Sequence, residues 1–208
     1  PQTGELLWQQ QLIGLEQGIA LDPVRRLAGA APSYAGGILV CPTGAGAVIA
    51  VDIVKREFLW VYRYPRETSS TTDFRNMWQQ QQQNQLLRVN SRWKDSSVFI
   101  AEGKVFITPP ESTEMYCLDL RTGALVWKYR VGESLFVGCV DDGRVLLVGG
   151  EAVLALRSSD GSSAWKNDSI PLPSGALPAG EGYLSEGHYF LPLTNGEVAS
   201  IDLAQGAL

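Results

Sequence analysis

The sequence predicts an all-β chain: a β-propeller of four-stranded antiparallel blades, about four of them in this chain, forming part of a larger array of seven or eight. Three observations lead there. The stretch CLDLRTGALVW at 117–127 returns in outline as AVDIVKREFLW at 50–60 and ALRSSDGSSAW at 155–165. Gly37, Gly103 and Gly143 precede Trp60, Trp127 and Trp165 by 23, 24 and 22 residues. Between these landmarks lie short runs rich in Val, Ile, Phe and Tyr, closed by turn residues and free of sustained helical spacing. A fixed period of about 40 residues holding four strands is the blade of a propeller, whereas a sandwich or barrel requires no such period.

The elements follow in order. PQTGELLWQQQL opens the chain as the tail of a blade over 1–14. A full blade spans 28–65, an inserted loop 66–95, and further blades 96–132 and 133–170; an incomplete one occupies 177–208. The copy at 96–132 shows the parse. SSVFIA and KVFIT are joined by a Glu-Gly turn, since glycine tolerates the positive φ of tight hairpins. EMYCLDL and ALVWKYRV are then joined by Arg-Thr-Gly. Blade stacking buries both faces of each small sheet, which accounts for nearly continuous apolar runs such as VLLVGG. The first segment is positioned to complete the last blade as a borrowed fourth strand. Because the Gly-x-Leu turn occurs at both ends, a fragment of a larger array that self-associates through open blade edges is the competing expectation.

Composition sets limits. Of 208 residues, 45% are hydrophobic and 19% charged, which are globular values. The net charge of -5 speaks against nucleic acid as a partner. Residues 105–208 carry 13 acidic side chains against 6 basic ones, while 1–104 carry 9 against 11, an imbalance read as ordinary surface variation. Cys41, Cys117 and Cys139 show neither CxxC spacing nor an adjacent pair, and with the single His188 they give no zinc pattern. No apolar run reaches the length of a membrane span, so no membrane span is expected in this chain. No GxSxG elbow occurs, and His188 beside Glu186 reads as a turn-edge residue.

The side chains singled out are structural. Asp52 and Asp119 sit eight residues before their tryptophans, placed to bond amides within the turn. Gly123 and Gly161 supply the backbone freedom of that turn. Trp8, Trp60, Trp127 and Trp165 suit slots between neighbouring blades, where a flat ring with one donor seals an interface. The segment 65–95 breaks the period, so that Trp60 and Trp127 lie 67 residues apart against 38 for the next pair. It reads either as a solvated loop or as a partner-binding element through Trp78, Trp93, Arg75 and Arg92.

The outline Ala-x-Asp-x-x-Thr-Gly-x-x-x-Trp resembles the tryptophan-docking motif of PQQ-like β-propeller repeats, found in quinoprotein alcohol dehydrogenases and in the propeller lipoprotein of the outer-membrane β-barrel assembly machine. Ala50, Asp52 and Trp60 match in one copy; Asp119, Thr122, Gly123 and Trp127 in the next; Ala155, Gly161 and Trp165 in the third; Ser200, Asp202 and Gly206 hold the last. Lys55-Arg56 and Arg157 depart from it. The resemblance implies an extracytoplasmic location in the periplasm or cell envelope. Quinone-binding members resemble one another in an adjacent cysteine pair and calcium ligands, which this sequence lacks, so neither PQQ nor calcium is expected. The expected function is a non-enzymatic scaffold or sensor module that binds protein or a small ligand through its loops or channel. The alternative is a fragment of a PQQ-dependent quinoprotein dehydrogenase.

Overall fold

The computed structural model describes residues 3–14, 31–66, 97–132 and 134–208. All regular structure among them is β, in four antiparallel sheets. The first holds β1 (Ser33–Ala35), β2 (Ile38–Pro42), β3 (Ala47–Asp52) and β4 (Glu57–Arg63), in that spatial order. The second repeats it with β5 (Phe99–Ala101), β6 (Lys104–Ile107), β7 (Glu114–Asp119) and β8 (Leu125–Arg130). The third holds β9 (Ser134–Asp141), β10 (Arg144–Gly149), β11 (Ala152–Arg157) and a two-residue β12 (Ile170–Pro171). The fourth has three strands: β13 (Tyr183–Ser185), β14 (His188–Pro192) and β15 (Val198–Asp202). These are four propeller blades, the fold class the repeat predicts.

Alternation along each strand sends consecutive side chains to opposite neighbours. Val105, Ile107, Tyr116 and Leu118 of the second blade pack with Val40, Val48, Ala50 and Trp60 of the first. Their sequence neighbours Phe106, Met115 and Cys117 pack with Val137, Val145 and Leu147 of the third. A third cluster joins Leu146, Val153 and Trp165 to Tyr189, Leu191 and Ile201. The core is therefore a series of layers between blades, and each sheet is buried on both faces where it has neighbours on both sides.

Two connections of each blade lie at one end and share one geometry. The hairpins at Glu102-Gly103, Asp142-Gly143 and Glu186-Gly187 hold both residues at positive φ, the type that matches strand twist. In the second connection the amide of the fifth residue bonds the carbonyl of the first, as Gly123 N–H to Asp119 O at 2.9 Å. Leu120 N–H then reaches Gly103 O at 2.9 Å, tying the two turns together; Ile53 to Gly37, Ser158 to Gly143 and Leu203 to Gly187 repeat the bond.

Two features differ from the sequence expectation. Residues 4–14 form no strand, and the fourth blade shows no borrowed outer strand among the described residues; Leu6 and Leu7 are exposed. In the third blade the outer strand is broken: Ser163 makes an isolated bridge to Leu156, and pairing resumes only at β12. After Trp165, the run KNDS at 166–169 offers no β-branched or apolar side chain to hold a continuous edge.

Candidate functional site

At the turn end, each of three tryptophans reaches out of its own blade onto the turn of the next. The indole N–H of Trp60 donates to Leu120 O, that of Trp127 to Ser158 O and that of Trp165 to Leu203 O, each at 2.9 Å. The rings lie flat over Gly123, Gly161 and Gly206, where a Cβ would stand 2.5, 2.7 and 2.6 Å from the nearest ring atom. All three glycines have φ between 65° and 74°. Glycine is thus required twice at each position, by the left-handed backbone and by the ring above it.

The aspartates hold the turn from within. Asp119 Oδ1 accepts from the amides of Arg121 and Thr122 and from the Thr122 hydroxyl, which hold its carboxyl below the usual carboxylate range. Asp52 accepts from the amides of Val54 and Lys55, both at 2.9 Å. Where Arg157 stands in the third copy, Asp160 substitutes from inside the turn, accepting from the Ser162 amide and hydroxyl. A further clamp joins the second and third blades: Glu102 accepts from the Ser158 hydroxyl at 2.6 Å and the Gly143 amide at 2.8 Å.

Trp8 is half-buried, whereas Trp60, Trp127 and Trp165 are buried; neither Trp8 nor Trp165 lies in a strand. The first blade carries Arg56 at the position of Gly123, with φ of 62°. A Cβ there occupies the place an indole takes over glycine in the later blades. Trp78, Trp93, Arg75 and Arg92 lie outside the described residues.

The opposite end holds a group that sequence reasoning missed. Glu111, in the loop between β6 and β7, is 5% exposed. Its Oε1 accepts from the Gly46 amide at 3.1 Å and the Tyr64 hydroxyl at 2.7 Å, bolting the second blade to the first. Its Oε2 is buried and has no hydrogen-bond partner. Glu111 and Tyr64 line a narrow cavity with Pro42, Val48, Ile107 and Pro110. Burial, then the charge and hydrogen bond of Glu111, push the Tyr64 hydroxyl pKa far up. No local motif marks this site, because its partners Gly46 and Tyr64 lie 65 and 47 residues away.

Cys41, Cys117 and Cys139 are free and buried in β2, β7 and β9, and burial raises each thiol pKa, to about 12 for Cys117 and Cys139. Among the described residues no group of three His, Cys, Asp or Glu side chains is placed to hold a metal ion.

Four blades joined by tryptophan-on-glycine contacts define a PQQ-like β-propeller. Residues 73–208 match the family model described as outer membrane protein assembly factor BamB, and the chain belongs to that family. It is 27% identical to the outer membrane protein assembly factor BamB of Yersinia pestis over 141 residues, 67% of this chain and 32% of that protein. The chain thus spans about a third of the length of this curated relative. BamB from Moraxella catarrhalis superimposes with a TM-score of 0.58 at 19% identity, covering 86% of this chain and 47% of that one. A europium-containing methanol dehydrogenase gives 0.60 at 14% identity, covering 86% and 40%. Both structural likenesses establish the fold.

Proposed function

We propose that this chain is a non-enzymatic propeller scaffold of the bacterial cell envelope that binds protein partners, among them components of outer-membrane protein assembly. One observation carries the reading: Trp60, Trp127 and Trp165 are engaged in joining blade to blade, each indole bonded to a backbone carbonyl of the next turn, while Asp52 and Asp119 hold their own turns. What varies from blade to blade is the loop end and the segment 65–95, and rigid frames present binding through such loops. The family description, an assembly factor, supports protein partners and an extracytoplasmic location. No helix among the described residues is long and apolar enough to cross a membrane. The test is capture of envelope assembly proteins by the immobilised chain, with and without residues 68–92. Capture unaffected by that deletion removes the insert from the reading, and no capture by the whole chain removes the scaffold.

A second reading, a piece of a quinoprotein dehydrogenase, has the likeness to the methanol dehydrogenase in its favour. Against it stand three thiols on three separate strands, with none adjacent to another. Addition of PQQ and calcium, followed by quinone absorbance and dye-linked alcohol oxidation, separates the two.

The scaffold reading extends to association between copies. Val198 and Leu208 are exposed, and among the described residues no strand pairs with β15 on the side away from β14, beyond the isolated Asp202–Ala207 bridge. Thr3–Trp8 repeats the sequence pattern of Thr122–Trp127, and Gly4 has φ of 67° against 69° for Gly123. A second copy's first segment is the strand that fits this edge. Sedimentation of a stable monomer at micromolar concentration would overturn that extension.

A further inference from the structure

We infer that the cavity at Glu111 is a binding site for an aliphatic primary ammonium group, the chemistry of a lysine side chain or of a small free amine. The inference is independent of the scaffold reading. It starts from a carboxylate that the fold leaves half used. Glu111 is 5% exposed, one oxygen is held by the Gly46 amide and the Tyr64 hydroxyl, and the other is buried without a partner. A buried acceptor without a donor costs free energy, and more when it belongs to a carboxylate. The other blades do not repeat the arrangement: the corresponding loop of the third blade uses the backbone carbonyl of Glu151, which accepts from the Leu172 amide.

The walls select the class of donor. The cavity has room for about one water-sized group, which is the size of an ammonium head and smaller than a guanidinium. Val48 and Ile107 are its apolar buried walls, and Pro42 and Pro110, partly exposed at its edge, are the surface on which a methylene stem would lie outside it. In so apolar a setting a charge-assisted bond to Oε2 is strong, and a neutral hydroxyl gains much less. The Arg66 stem lies against Gly46, and its charge lowers the Tyr64 pKa. Its positive field therefore opposes a second cation, which sets the expected affinity in the millimolar range rather than below it (roughly -4 kcal/mol).

The test follows the Gly46 amide resonance, whose proton is bonded to the same carboxylate, during titration with n-butylammonium, n-butanol, n-butylguanidinium and tetramethylammonium chlorides or solutions at constant ionic strength. Saturable shifts with n-butylammonium alone are expected. Glu111→Gln keeps an acceptor for Gly46 and Tyr64 and is expected to weaken binding by roughly tenfold or more. Pro110→Trp, which obstructs the edge without touching the carboxylate, is expected to abolish it and serves if the glutamine variant does not fold. Equal responses to n-butylammonium and n-butanol, or no saturable response to either, identify the cavity as a water site and overturn the proposal. A lysine-containing peptide that reproduces the n-butylammonium shifts assigns the ligand to a protein side chain; a peptide that does not, beside binding of the free amine, assigns it to a small molecule.

Discussion

The ring of Trp60 lies over Gly123, in the space a side chain at that position would fill: a Cβ on Gly123 would stand 2.5 Å from the ring. Gly103, in the same blade, has nearly the same φ, 70° against 69°, and no atom within 4 Å of its Cβ position. The pair separates backbone strain from packing. Gly103→Ala is expected to cost only the left-handed conformation, about 1–2 kcal/mol. Gly123→Ala adds displacement of the indole and its bond to Leu120 O, for a total of about 3–5 kcal/mol. Urea unfolding of both variants measures the difference, and equal losses would show that the ring contact contributes nothing.

The donor matters as well as the ring. Trp127→Phe retains an aromatic over Gly161 but removes the N–H bonded to Ser158 O. The expected loss is about 1–3 kcal/mol for the carbonyl left unmatched. Trp127→Ala should lose about 3–5 kcal/mol through the cavity it leaves. A phenylalanine variant as stable as the parent would leave the hydrogen bond without energetic weight.

Glu102 makes one blade-to-blade clamp pH-dependent. The Ser158 hydroxyl and, after it, the Gly143 amide lower its carboxyl pKa, against an opposing contribution from burial. Its folded pKa is depressed, so the stabilisation is present above the unfolded value of about 4.3 and is lost as pH falls through the folded value. The stability difference between the parent and Glu102→Gln should be constant near neutrality and shrink in acid below about pH 4. A difference that grows on acidification would reverse the assigned sign.

The fold was legible because its periodic parts are local: a turn glycine, an aspartate and a tryptophan within one hairpin reveal the blade. What each tryptophan touches was not legible, since the glycine beneath it belongs to the next copy. Glu111 is the extreme case, because its partners Gly46 and Tyr64 lie in the preceding blade and no repeat of the pattern exists to expose it. The broken outer strand of the third blade is visible in the polar KNDS run, while the repeated outline around Trp165 points to four strands as in the other copies. Trp8 carries the same outline again, but the turn of the first blade has Arg56 where the others have glycine.

The thiols should be silent in the native protein. Cys41, Cys117 and Cys139 are buried within strands, and burial raises all three pKa values, to about 12 for Cys117 and Cys139. Thiolate is the reactive form, so a thiol reagent at pH 8 should modify them no faster than the blades open. Full reaction is expected in denaturant. Rapid labelling of the folded chain would place at least one thiol in an accessible setting.

Arg56 gives the opposite sign at the same place in the repeat. It stands where the other copies have Gly123, Gly161 and Gly206, at φ of 62°, a conformation that costs an ordinary residue about 1–2 kcal/mol. Glycine removes that strain but adds freedom to the unfolded chain, which offsets about 0.4–1 kcal/mol of the gain. Arg56→Gly should therefore stabilise the protein by up to about 1 kcal/mol, while Gly123→Ala destabilises it. By the rule the other three tryptophans follow, a glycine at 56 is the seat for the indole of Trp8. Reduced exposure of Trp8 in that variant, read by fluorescence quenching, would show that one side chain decides whether a tryptophan docks on the first blade. A destabilised Arg56→Gly would instead mean that the arginine side chain makes contacts worth more than the strain it imposes.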